Sequence, residues 1–424
     1  MLQIINIREN KEDVLKRLSI KNFKDAETII NDILELDNIR KITQKKGDDI
    51  KAESNSCSKQ IGDLMKSGKK LEADALKIKT ADLKITEKLI DDQLNQIELK
   101  LNNLLVTVPN TPNLNVPAGK VPEDNEVILE HGVKPTLYSN AKPHWELTSK
   151  YDIIDFELGV KLTGSGFPVY KGKGARLQRA LINFFLDRAT SNGYNEVQPP
   201  ILVNEESGYG TGQLPDKEGQ MYHASIDNLY LIPTAEVPIT NIYRDVILKE
   251  TDLPIKNCGY TPCFRREAGS YGKDVRGLNR LHQFDKVEIV QITHPNQSYK
   301  ILEDMLDYVA SLLKELGLPF RILKLCGGDM SFSSALTYDL EVWSAAQSKW
   351  LEVSSVSNFE TFQTNRLKCR YKDANGKSQL AHSLNGSALA LPRIVAALLE
   401  NNQSQEGIKI PDVLIPYCGF NIID

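Results

Sequence analysis

Cysteine is sparse in this chain: Cys57, Cys258, Cys263, Cys326, Cys369 and Cys418 are scattered over 424 residues with no C-x-x-C spacing. This excludes a disulfide framework and a structural zinc cluster, and suits reduced thiols in a cytosolic protein. Long apolar runs are missing too. No stretch approaches the roughly 18 to 20 apolar residues of a membrane span. The segment Met1 to Asn10 carries Arg8 and Glu9 where a secretion signal would be apolar. A cytoplasmic protein without a membrane partner is expected. The net charge of −4 gives no overall basic signature, so nucleic acid would have to be met by a local patch. Phosphate loops are absent as well. Gly172-Lys173-Gly174 lacks the third glycine of a dinucleotide loop and the spacing and hydroxyl of a P-loop, and reads as a cap and turn. A nucleotide site here must therefore be built from side chains on a sheet.

From Ala26 to Leu105 proline and aromatic residues are absent, and Lys, Glu, Asp, Ile and Leu dominate. Long helix is expected. Steps of four and three from Ile29 run through Ile33, Leu36, Arg40, Thr43, Gly47, Ile50, Ser54, Cys57, Ile61 and Leu64, a seam that is polar or small at its middle. Leu76, Leu83, Ile90, Ile97 and Leu104 recur every seven residues, with Leu94 and Leu101 in companion positions. Lys66 to Lys70 offers a turn at Gly68, giving an antiparallel hairpin of two helices, each on the order of 50 Å long. Its many lysines, among them Lys45, Lys51, Lys69 and Lys77, are interleaved with acids. Two readings stand: a solvated coiled-coil surface, or an arm touching the backbone of a folded RNA.

Val108-Pro109-Asn110-Thr111-Pro112 ends the helix, so the expected division is 1–112 and 113–424. Beyond it, short strands, loops and helices alternate without a steady βαβ rhythm, which favours an antiparallel α+β domain. Leu177 to Thr190 reads as an amphipathic helix. Asn195 to Val203 reads as one strand interrupted by Pro199-Pro200, at an edge or interface.

The richest stretch is Phe264-Arg265-Arg266-Glu267, a polar loop, and His282 to Glu288. As a strand pair it sets Arg265 and Glu267 on one face, and Phe284, Lys286 and Glu288 on one face of the return strand. Tyr338 to Trp343 and Glu352-Val353-Ser354-Ser355 add acids and hydroxyls suited to a metal-phosphate site. In Leu384 to Arg393, the alternating Gly386, Ala388 and Ala390 leave one face open to close approach, and Pro392 suits the first turn of a following helix. Each feature has a plain rival. Arg265 and Glu267 would also serve as an ion pair, Phe284 as core, Glu288 and Glu352 as solvated strand residues, and Arg393 as a surface cation.

In this order the segments resemble the three signature motifs of class II aminoacyl-tRNA synthetases, and in detail the bacterial-type seryl-tRNA synthetase family. The resemblance spans the chain. It rests on Thr211-Gly212-Gln213-Leu214-Pro215, Thr234-Ala235-Glu236, Phe264 to Ser270, Glu352 to Ser355 with Ser357-Asn358-Phe359, and Leu384-Asn385-Gly386. It implies a class II catalytic domain with an N-terminal helical arm for serine tRNA. It further implies that Arg265 holds the ATP α-phosphate, Glu267 meets the adenine side, Phe284 stacks on the base and Arg393 meets the γ-phosphate. Arg266, Val353 and Ser354 belong to the ATP segments. Glu352, with Ser355 nearby, would bind ATP through Mg2+. Thr234, Ala235, Glu236, Glu288 and Ser387 would form the serine pocket. The implied partners are tRNA(Ser), tRNA(Sec) where it occurs, and a second copy in a homodimer. Pro392, Ala388 and Ala390 depart from the wider class pattern, in which an acid precedes the last arginine and glycines alternate. His282 and His382 carry no expected role, and Asp339 and Glu341 are expected only as supporting acids. A carrier-protein ligase would lack the arm, and a non-enzymatic relative would have lost Arg265, Glu267 or Arg393.

Overall fold

The computed structural model describes residues 1–216, 219–267 and 276–424. Ala268, Gly269 and Ser270 of the expected signature therefore lie outside the described residues. Two compact units emerge: Leu2–Ser19 with Phe23–Pro109, and Met1, Ile20–Asn22 and Asn110–Asp424.

In the first unit, α1 (Ile4–Glu9) and α2 (Lys11–Ile20) precede the hairpin of α3 (Ala26–Lys66) and α4 (Lys70–Leu105). The turn falls where Gly68 takes φ +76°, a left-handed conformation that other residues reach only at a cost. The α3 seam is the covered face: Ile33, Gly47, Ser54 and Cys57 are buried. On α4, Ile90 and Leu101 are buried with Ala73 and Thr80. The polar middle of the seam has a packing reason. A Cβ on Gly47 would sit 3.3 Å from the Ile90 methyl, so glycine lets the helices close around a large residue.

The second unit is built on an eight-stranded sheet. Its strands are β1 (Glu126–His131), β2 (Asn195–Glu196), β3 (Ile255–Phe264), β4 (Gln283–Thr293), β5 (Phe320–Lys324), β6 (Leu336–Ser344), β7 (Lys349–Glu360) and β8 (His382–Ala390). The order is β1-β5-β6-β7-β8-β4-β3-β2, antiparallel except where β2 joins β3 in parallel. The expected Asn195 to Val203 strand is two pieces: Asn195–Glu196 at the sheet edge, and Leu202–Val203 in a separate three-stranded sheet. Pro199-Pro200 lacks the N–H groups that would have carried one ladder onward.

Helices α5 (His144–Lys150), α6 (Gly172–Ser191), α7 (Ser298–Glu315) and α8 (Leu391–Asn401) frame the sheet. Phe184 and Phe185 of α6, Leu312 of α7 and Leu399 of α8 share a core with Val287 and Ile289 of β4 and are fully buried. Gly172 and Gly174 are not a turn before α6 but its first turn. A Cβ on Gly174 would lie 2.2 Å from the Ile153 carbonyl oxygen, so close helix contact explains that glycine. No described helix is long and apolar enough to cross a membrane.

Within the arm unit, buried Asp37 is met by Arg8 at 3.1 Å, Arg40 at 2.9 Å and Lys41 at 3.2 Å. Burial pushes its carboxyl up, but hydrogen bonds from Arg40 and Lys41 and the charges of Lys41 and Arg8 hold it below the ordinary 3.8. Its contribution is thus complete above that ordinary value and is lost as pH falls through the lower folded value. Asp37→Asn should lower the arm's melting temperature by several degrees at pH 7 and flatten its acid dependence in circular-dichroism melts; an unchanged melt would remove this role.

Candidate active site

A cavity of about 610 Å³ opens over β4, β7 and β8 and beyond the end of β3. On β4 the two-residue alternation holds: Phe284, Lys286 and Glu288 line the cavity, while Val287 and Ile289 are buried behind it. On the other side the expected reason fails. Strand β3 ends at Phe264, and Glu267 has φ +50°, so Arg265 and Glu267 do not share a strand face. The backbone N–H of Arg265 donates to the His282 carbonyl at 2.9 Å, and that of Arg266 donates to Gln220 at 2.8 Å. The irregular turn that results still brings Arg265 and Glu267 into the cavity, and leaves Arg266 outside its lining.

Bulges complete the set. In β7 the ladder shifts between Leu340↔Ser354 and Glu341↔Glu352, so Val353 is the extra residue. Glu352 and Ser355, three apart, therefore both reach the cavity with Val353 and Ser354. In β8 a shift between Ser387 and Ala390 acts likewise. Of the expected small face, Ala390, past the shift, lines the cavity, whereas Gly386 and Ala388 do not. A Cβ on Gly386 would meet the Val356 methyls at 3.2 and 3.3 Å, so its smallness serves the core, and the cavity sees Asn385 and Ser387.

Two regions differ in character. In the outer one, the Arg265 guanidinium lies 5.2 Å from the Phe284 ring centre, within cation–π range. Glu267 pairs with Arg280. Arg393 donates to the Asn279 carbonyl at 3.0 Å and to the Glu352 carbonyl at 2.6 Å, with its guanidinium 3.7 Å from the Glu352 carboxylate.

The inner region is buried and polar. Lys286 Nζ stands 2.6 Å from Glu288 Oε2 and donates to Thr234 Oγ1 at 2.7 Å. Thr234 and Ser387 hydroxyls donate to the same carboxylate oxygen at 3.3 and 3.5 Å. Glu236 accepts from Gln363 at 2.6 Å, and burial followed by the nearby Glu288 charge raises its carboxyl to about 7. Ala235 is enclosed with Ile239 and Val290 in a separate apolar cluster, so its side chain does not reach the cavity.

Neither Lys286 nor Gln363 carried an expected site role. The alternation already set Lys286 between Phe284 and Glu288, but nothing local marked Gln363 as a partner of Glu236. The histidines without an expected role serve structure: His282 bonds Tyr222 at 2.9 Å, and His382 bonds Ser298 at 2.8 Å, with burial lowering it to about 4. Asp339 is half-buried beside Ser355, its carboxyl raised by desolvation and then by Glu352. Glu341 pairs with Arg321.

An antiparallel sheet bearing this cavity, with an arginine at the β8–α8 junction, is the architecture of a class II aminoacyl-tRNA synthetase. Residues 222–402 match the family model described as tRNA synthetase class II core domain (G, H, P, S and T). Residues 1–112 match the seryl-tRNA synthetase N-terminal domain. A serine–tRNA ligase of Salinibacter ruber is 50% identical over 422 residues, covering 99% of this chain and 98% of its own. One of Akkermansia muciniphila is 47% identical over 425 residues, covering 100% and 99%. A crystal structure of seryl-tRNA synthetase from Pyrococcus horikoshii complexed with ATP has a TM-score of 0.91 at 32% identity, covering 100% of this chain and 99% of that one. The chain belongs to the seryl-tRNA synthetase family, the serine–tRNA ligases.

The raised Glu236 has a measurable consequence. Between the ordinary 4.5 and about 7 the folded protein holds a proton that the unfolded chain releases, so stability falls as pH rises through that window. Glu236→Gln should flatten this part of the melting-temperature profile; parallel profiles for the two proteins would refute it.

Proposed function

We propose that the protein activates L-serine with ATP and transfers it to tRNA(Ser), in the cavity described. Arg265 would hold the α-phosphate, Arg393 the γ-phosphate, Phe284 the face of adenine and Glu267 its edge. Arg266, Val353 and Ser354 would contribute through backbone. Thr234, Glu236, Glu288 and Ser387 would form the serine pocket, with Ala235 contributing backbone only. The observation that carries this reading is the buried Lys286–Glu288 pair at 2.6 Å, ringed by hydroxyls in the same cavity as Arg265 and Arg393. Its charged acceptor suits the hydroxyl of serine, and alanine would leave that acceptor short of a donor.

The serine carboxylate oxygen attacks the α-phosphorus, the bond to the β-phosphate bridging oxygen breaks, and pyrophosphate leaves. The nucleophile is already ionised, so no general base is needed. Arg265 and Arg393 act by positioning and by stabilising phosphate charge. A terminal ribose hydroxyl of the tRNA then takes the seryl group, releasing AMP. The hard oxygen donors Glu352 and Ser355 fit Mg2+, and with Glu352 the single carboxylate beside Ser355 among the described lining residues, phosphate oxygens and water would have to complete its shell. Bound there, Mg2+ would neutralise phosphate charge.

Other parts of the reading have separate support. The division at 112/113 and an RNA-contacting arm agree with the match of 1–112 to the family's N-terminal domain. A homodimer near Pro200 agrees with exposed Ile201 and Leu202, and a cytoplasmic setting with six unpaired thiols. tRNA(Sec) is a second proposed substrate where it occurs.

ATP–pyrophosphate exchange with each amino acid, followed by tRNA charging, tests the whole reading, and exchange that does not depend on serine would overturn it. Glu288→Ala should raise the serine KM about 10- to 100-fold, as loss of a charged hydrogen bond does, with little change for ATP. Equal small effects on both would refute the role. Replacing 27–105 by a short linker should spare serine-dependent exchange and abolish charging; normal charging would sink the arm assignment.

A further inference from the structure

Beneath the cavity, His144 at the head of α5 and Glu400 near the end of α8 are both fully buried. His144 Nδ1 lies 2.7 Å from Glu400 Oε1, which also accepts the His144 backbone N–H at 3.0 Å. On its other side the ring accepts: the backbone N–H of Leu278 donates to His144 Nε2 at 2.8 Å. These partners require the neutral ring with its proton on Nδ1. Gln347 extends the network, donating to Glu400 at 3.0 Å and accepting from Asn279 Nδ2 at 2.9 Å. Ser344 donates to the second Glu400 oxygen.

Everything this network grips on its upper side is cavity wall. Leu278, Asn279 and Arg280 line the cavity, Asn279 O receives Arg393 at 3.0 Å, and Arg280 pairs with Glu267. Gly277, at φ +66°, passes so close that a Cβ there would lie 2.2 Å from His144 Nε2. A larger residue would break the contact.

We propose that His144, anchored by Glu400, is a positioning residue for the nucleotide half of the site, because its Nε2 holds the 277–280 segment that in turn sets Arg393 and Glu267. This rests on the assignment of that half to ATP. The rival role is a tie between α5 and α8 through Nδ1 alone, and side-chain geometry separates the two. Asparagine reaches the Nδ1 position and keeps the Glu400 contact, whereas glutamine reaches the Nε2 position and keeps an acceptor for Leu278.

The experiment is serine-dependent ATP–pyrophosphate exchange on the full chain, with KM for ATP and for serine and a melting temperature for each variant. His144→Asn should raise the ATP KM about tenfold, the scale of one lost hydrogen bond, while the serine KM moves less than about twofold. His144→Gln should restore the ATP KM even though its melting temperature falls. Equal impairment of the two variants toward ATP, an equal rise in both KM values, or an unmoved ATP KM in His144→Asn would each overturn the proposal. Should His144→Asn fail to fold, Gln347→Leu, at a half-buried position, reads the same split, and an unchanged ATP KM there overturns it. Absence of serine-dependent exchange in the unsubstituted protein would remove the ATP assignment, and the inference with it.

Discussion

The register of β4 between β3 and β8 is the constraint on which the site depends. With no glycine-rich loop cradling phosphates among the described residues, side chains on neighbouring strands supply much of the cavity, and ladder geometry sets their spacing. Glu288 pairs with Gly259 on one side and Ser387 on the other. A slip of one residue would turn Glu288 into the core and Val287 into the cavity. The apolar partners of Val287 and Ile289 on the helical layer make that slip costly, so hydrophobic packing behind the sheet fixes polar chemistry in front of it.

The inner pocket carries a second cost. Lys286, Glu288 and Glu236 are nearly excluded from water, and taking charges out of water costs several kcal/mol each before partners repay any of it. The protein meets this differently at each carboxylate. Glu288 remains matched to Lys286 and two hydroxyls, whereas Glu236 faces the same negative charge with only an amide donor and shifts upward. Asp37 in the arm shows the opposite balance, since three cations outweigh its burial.

Periodic features of this architecture were legible in the sequence. The heptads of α4, the glycine at the hairpin turn, the β4 alternation and Pro392 opening α8 each follow a local rule that tertiary contacts did not override. Non-periodic features were not. The β7 bulge that brings Glu352 and Ser355 together, the end of β3 before Arg265, and the division of 195–203 depend on where ladder bonds stop, which alternation cannot reveal. Gly386 was legible only in part for a related reason: a small residue signals close approach, but not whether a ligand or Val356 approaches. Gln363 lies 127 residues from Glu236, so no local pattern could join them.

A reaction whose nucleophile arrives already ionised places the chemical burden on geometry. No side chain has to gain or lose a proton in the adenylation step, so rate depends on holding carboxylate, phosphorus and leaving group in line, where a misplacement of about 1 Å can cost a hundredfold. The arginines that would do this are long and flexible, and long side chains are poor rulers unless their heads are tied. Arg393 is tied to two backbone carbonyls, one on β7 and one at Asn279. A carbonyl sets a guanidinium's direction without neutralising it, while the Glu352 carboxylate, 3.7 Å away, shares the charge that phosphate would meet. Support of this kind suits a site that must orient charge, and it makes the backbone around Asn279 as consequential as the arginine itself.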